Sequence, residues 1–149
     1  MNEQAKKLIK TGVKSIYLSV PILRLECSVK NDLKAKKLQQ KLEDLGFIVM
    51  NPVQIGRMLE DRAYKPTYRN FMAQDIYTML SCDAVVLERS WAGSYRCRTE
   101  VIIAQRCDMI LLNENLISIP LTTAFNSIYN NLQPSSNTNT PKSKGSHNK

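Results

Sequence analysis

Two carboxylates, Asp75 and Glu100, stand where helical spacing calls for an apolar side chain. From Ser94 to about Cys107 the spacing predicts a helix. Its apolar stripe is Cys97, Val101 and Ala104 with Ile103 and Cys107, and Glu100 lies inside that stripe. The helix before it carries Phe71, Met72, Ile76, Met79 and Leu80 on its apolar side. Asp75 sits among them, four residues after Phe71 and four before Met79. An inward carboxylate is costly unless it is paired or used. Either one alone is explained as a rim residue or a capping partner. Two of them, on helices flanking one strand, point to an active site. The chemistry open to such a pair is nucleophilic attack by one group and proton transfer by the other.

The strand between these helices is short and apolar. Asp83 opens the run Ala84-Val85-Val86-Leu87, which reads as a buried parallel strand. Trp91-Ala92-Gly93 makes the following loop, and Ser94 is a residue type that caps helices. Upstream, Lys14 to Val20 reads as a first strand stopped by Pro21, and a loop runs to Lys30. Asn31 or Asp32 is the expected cap of the next helix. On that helix Ala35, Leu38, Leu42 and Leu45 share one face, and Gly46 ends it. Phe47-Ile48-Val49-Met50 is a second strand, closed by Asn51-Pro52. Residues 53–68 read as a long irregular segment rich in groups able to meet a ligand: Arg57, Glu60, Asp61, Arg62, Tyr64, Lys65 and Tyr68. Met109 to Leu112 is a fourth strand and Leu121 to Leu132 a last helix.

Strands alternating with helices imply a parallel sheet. Ligands of such sheets bind at the carboxyl ends of the strands, where the strand order reverses. The loop after the first strand, Asn51-Pro52 and Trp91–Ser94 all belong at that edge. Ser94 opens a helix there, so its backbone N–H groups offer an anion site.

Of the net charge of +8, three units lie in residues 133–149 and three in residues 1–14. The body is nearly neutral, which makes nucleic acid an unlikely main partner. Residues 1–14 read as a polar arm or short helix, and the apolar-free stretch 133–149 as a disordered tail. The domain between them is 15–132. The four cysteines contain no C-x-x-C pair and the single histidine is His147, so neither a metal site nor a cofactor is expected. Cys97 and Cys107 read as buried thiols. No apolar run is long enough for a membrane span and no leader is visible, so a soluble, cytoplasmic chain is expected.

The order and spacing of several of these residues resemble the nucleoside 2-deoxyribosyltransferase-like superfamily. They are Tyr17, Ser19 and Pro21; Asn51-Pro52; Met72, Asp75 and Cys82-Asp83; and Trp91, Ser94 and Glu100. The likeness covers residues 15–112. It is similar also to the 2'-deoxynucleoside 5'-phosphate N-glycosidases of that superfamily. The resemblance implies a three-layer doubly wound fold, flavodoxin- or Rossmann-like, with four or five parallel strands. It implies N-glycosidic chemistry on a nucleoside or nucleotide, in a homo-oligomer. Glu100 would attack the anomeric carbon, Asp75 would orient the sugar or base and manage the leaving-group proton, and Tyr17 would hydrogen-bond the nucleophile. Substrate contacts would come from Ser19, Asn51, Trp91, Ser94, Arg96 and Arg98. Ser94, where nucleoside-specific relatives carry Asp, is the residue of the relatives that take 5'-monophosphates. Two positions depart from the pattern. Arg96 and Arg98 stand where relatives have Gly or small residues, and Val20 replaces the Gly of Ser-Gly-Pro. A second function therefore stands beside the first: a catalytically inactive nucleotide-binding protein on the same scaffold.

Overall fold

The computed structural model describes residues 2–22, 28–60 and 66–132. Four strands, β1 (Ser15–Ser19), β2 (Ile48–Met50), β3 (Ala84–Leu87) and β4 (Ile110–Asn113), form one sheet in the order β2-β1-β3-β4. Every pairing is parallel, with Ile16 beside Val49 on one side and beside Ala84 on the other. Among the described residues six α-helices accompany them: α1 (Glu3–Lys10), α2 (Ser28–Asp44), α3 (Pro52–Glu60), α4 (Tyr68–Leu80), α5 (Tyr95–Arg106) and α6 (Leu121–Leu132).

The period-two alternation of the strands sorts the core into two layers. Ile16, Leu18, Ala84, Val86 and Leu112 pack with Ala5 of α1 and with Ala35, Leu38 and Leu42 of α2. Tyr17, Val85, Leu87 and Leu111 pack with Met79 of α4, Cys97, Val101 and Ala104 of α5, and Ala124 and Ile128 of α6. The result is a three-layer α/β fold of Rossmann-like type. The strand order reverses between β1 and β3, which places a crevice at their carboxyl ends.

Local sequence explains most boundaries. Gly46 takes φ +101°, a conformation L side chains resist, and ends α2 while the Phe47 N–H reaches back to the Leu42 carbonyl. The start of α2 at Ser28 lies before the expected Asn31 or Asp32 cap. Residues 53–60 are not irregular as expected. Asn51 caps α3 by accepting the Val53 N–H at 3.0 Å, and Pro52 occupies the first helical position, where its missing N–H is harmless. Residues 61–65 and the segment from 133 on, for which a loop and a disordered tail were expected, lie outside the described residues. At the amino end, Asn2 caps α1 and Ala5 is buried, so this helix belongs to the core layer.

Two expected core positions are corrected. Leu80 is 44% exposed at the last position of α4. Cys107 is exposed because α5 ends at Arg106, leaving it as the C-cap. Cys97 is buried, and burial pushes its thiol up to about 11.

Asp83 ties the starts of β1 and β3 together. One of its oxygens accepts the N–H groups of Lys14 (2.8 Å) and Ser15 (2.9 Å) and the Ser15 hydroxyl (3.1 Å). Those backbone donors hold the Asp83 carboxyl below its ordinary range. A depressed carboxyl contributes stability above its unfolded pKa and loses it as pH falls through the folded one. Asp83→Asn should therefore flatten the acid limb of the stability–pH curve measured by urea unfolding. An unchanged acid limb would remove Asp83 from this role.

Candidate active site

The sheet and two helices converge on Glu100. β1 places Tyr17 and Ser19, two residues apart and so on one face, toward α5. α5 places Arg96 and Glu100, four apart and so on one face. α4 supplies Asp75. The Ser94 side chain fixes where α5 begins, accepting the Cys97 N–H at 3.3 Å.

The Glu100 carboxylate is 1% exposed and fully engaged. The Tyr17 hydroxyl donates to Oε1 at 3.1 Å, and the Ser19 hydroxyl donates to Oε2 at 2.6 Å. Arg96 Nε donates to Oε1 at 3.4 Å. The other end of the same guanidinium is in direct ion-pair contact with Asp75, which is equally buried. Burial raises the Glu100 pKa above its ordinary value, while Ser19, Arg96 and Tyr17 pull it back. Tyr17 is raised well above the usual phenol value by burial and then by the neighbouring carboxylate, so it remains a donor. The centre thus holds a carboxylate by two hydroxyls and a cation. Such a group can act as a nucleophile where water is excluded.

A cavity of about 640 Å³ opens beside it, within the range of small-molecule sites. Pro21 and Ile22 after β1, Tyr68 at the start of α4, and Ser90, Gly93, Ser94, Tyr95 and Arg96 before and within α5 line it. Arg96 belongs to both the cavity wall and the carboxylate cluster. It is the link between whatever enters the cavity and Glu100.

Of the residues singled out in the sequence, Tyr17, Ser19, Asp75, Arg96 and Glu100 come together, and Ser94 lines the adjoining cavity. Three stand elsewhere. Asn51 caps α3 and donates to Gln39 at 3.1 Å. Trp91 is buried in the layer with Cys97 and Val101. Arg98 donates to the Ala92 carbonyl at 2.9 Å and lies over the Tyr95 ring, bracing the loop. Sequence reading passed over Glu88, which is 6% exposed and closes the β3–α5 turn by accepting the Ser90 N–H at 3.0 Å. Its signal was available: it is the first polar residue after an apolar strand, at the ligand-binding edge. Among the described residues, no cluster of three or more His, Cys, Asp or Glu is placed to hold a metal ion. Nor is any described helix long and apolar enough to cross a membrane.

The family described as "Domain of unknown function (DUF4406)" matches residues 14–113. The chain belongs to that family. The matched DUF4406 segment spans all four strands and contains Tyr17, Ser19, Asp75, Arg96 and Glu100. No curated protein and no solved structure matches the chain.

Proposed function

We propose that this DUF4406 protein cleaves or transfers the N-glycosidic bond of a deoxynucleoside 5'-monophosphate, with Glu100 as nucleophile. The observation that carries this reading is the buried Glu100 carboxylate, held by Tyr17 and Ser19 at the strand-order switch beside the 640 Å³ cavity. A Glu100 oxygen attacks the anomeric carbon as its bond to the base nitrogen breaks. The electron pair leaves with the base, which takes up a proton relayed through Asp75. Water, or a second base, then attacks the glycosyl ester and returns the Glu100 carboxylate.

The 5'-phosphate is received by Ser94 and Arg96. The Ser94 oxygen accepts a helix N–H and keeps its own O–H for donation, and the N-terminus of α5 adds backbone donors. A phosphate also competes for the Arg96 guanidinium and so frees Glu100 to react. Nucleosides, lacking phosphate, leave Arg96 across the two carboxylates.

One observation favours a second reading. Arg96 ties up both Asp75 and Glu100, and a guanidinium that never leaves them makes a nucleotide-binding protein without turnover. Free base measured by chromatography, after incubation with each deoxynucleoside and its monophosphate, separates the two. The enzyme reading expects release, with monophosphates preferred at least about tenfold, a gap near 1.4 kcal/mol. It also expects Ser94→Asp to erase that preference. Nucleotide binding by calorimetry with no free base would establish the second reading instead.

A further inference from the structure

A second cavity, of about 340 Å³, lies at the same edge of the sheet but on the α2 side. Lys34, Lys37 and Lys41 from α2 line it, with Glu88 and Arg89 after β3 and Glu114 after β4. Four cations thus line the groove with two carboxylates, and each carboxylate already accepts a backbone N–H. Glu88 accepts the Ser90 N–H and hydroxyl. Glu114 Oε1 accepts the Arg89 backbone N–H at 3.1 Å. The Lys41 ammonium reaches the Glu114 backbone carbonyl at 3.1 Å. Among the described residues, neither Lys34, Lys37 nor the Arg89 guanidinium has an ion-pair partner.

We infer that this groove binds the phosphate chain of a small polyphosphorylated ligand. The spacing selects a chain over one phosphate: from residue 34 to residue 41 a helix rises about 10 Å, so the three lysines form a row along one face of α2. Lysine suits such a row, as a compact cation that contacts phosphate without fixed geometry. The volume suits a few phosphate groups and falls at the low end for small-ligand sites. The body of the chain has little excess charge outside the ends, which argues against a long nucleic-acid track. The site is separate from the cavity beside Glu100. Glu88-Arg89-Ser90 forms their common wall, with Glu88 and Arg89 facing this groove and Ser90 the other.

Calorimetric titration of the full chain with inorganic tripolyphosphate tests the inference. One molecule should bind per chain, and Lys34→Gln/Lys37→Gln should weaken it at least tenfold with no change in melting temperature, because both side chains are exposed. Ser94→Asp, which disrupts the phosphate contact proposed for the other cavity, should leave it intact. A nucleoside triphosphate run in parallel distinguishes sources. Equal affinity assigns recognition to the phosphates alone, and tighter binding adds contacts to the nucleoside; both support the site. Absence of tripolyphosphate binding, or binding that the double substitution leaves unchanged, overturns it. So does steeply salt-dependent binding to a duplex DNA with none to tripolyphosphate.

Discussion

Glu100→Gln should abolish base release and at the same time raise the melting temperature at neutral and alkaline pH. The substitution keeps the size of the side chain but removes the carboxylate of the proposed nucleophile. Turnover should fall about a thousandfold or more, the order expected when a covalent nucleophile is lost. The stability gain follows from burial. Because the folded-state pKa of Glu100 is raised, folding favours its protonated form. That contribution is full below the unfolded pKa and is lost as pH rises through the folded one. Above it, the native chain holds a buried charge that glutamine does not carry. Each 1 kcal/mol recovered would lift the melting temperature by roughly 2–4 °C in a chain of this size, and the difference should shrink toward acid pH. Thermal unfolding of both proteins from pH 4 to 9 checks it. A lower melting temperature for the variant at pH 8 would contradict it. Base release by the unaltered protein should run the other way, increasing as pH rises through the Glu100 pKa, because the proposed mechanism uses the carboxylate.

Arg96→Ala should be the most destabilising single substitution in the site, at about 3–5 kcal/mol. The guanidinium is the cation shared by two side chains that are each 1% exposed. Its removal leaves two buried carboxylates without compensation. The loss should be largest at high pH and recede in acid, since without Arg96 one opposing influence on the Glu100 pKa disappears and protonation becomes easier. Asp75→Asn introduced into the Arg96→Ala chain should recover part of the loss, because it removes one of the two stranded charges. Urea unfolding of the single and double variants measures both terms. Additive losses would show that Arg96 and Asp75 are not coupled.

The four strands were legible because each is a short apolar run between turn residues, and the alternation within them is what divides the core into two layers. Asp75 and Glu100 were legible for the opposite reason: a carboxylate interrupts an apolar stripe at a position the stripe needs. α3 was missed because Pro52 read as the close of the second strand, although Pro at the first helical position interrupts no hydrogen bond. Leu80 and Cys107 were misplaced because a stripe holds its direction only while the helix continues, and both sit at helix ends. Arg96 lies four residues before Glu100, so their pairing was open to inspection. Its contact with Asp75 was not, because that depends on how α4 packs beside α5 on the sheet. Glu88 and the basic groove required three distant segments to be assembled.

The proposed role of Glu100 requires a covalent bond between its carboxylate and the sugar of a nucleotide. Rapid acid quenching of the protein with a deoxynucleoside 5'-monophosphate, followed by peptide mass spectrometry, tests it most directly. Free base should appear together with a deoxyribosyl-phosphate mass increase on the peptide that contains Glu100, and neither should appear in Glu100→Gln. Base release that persists in the Glu100→Gln protein would contradict it.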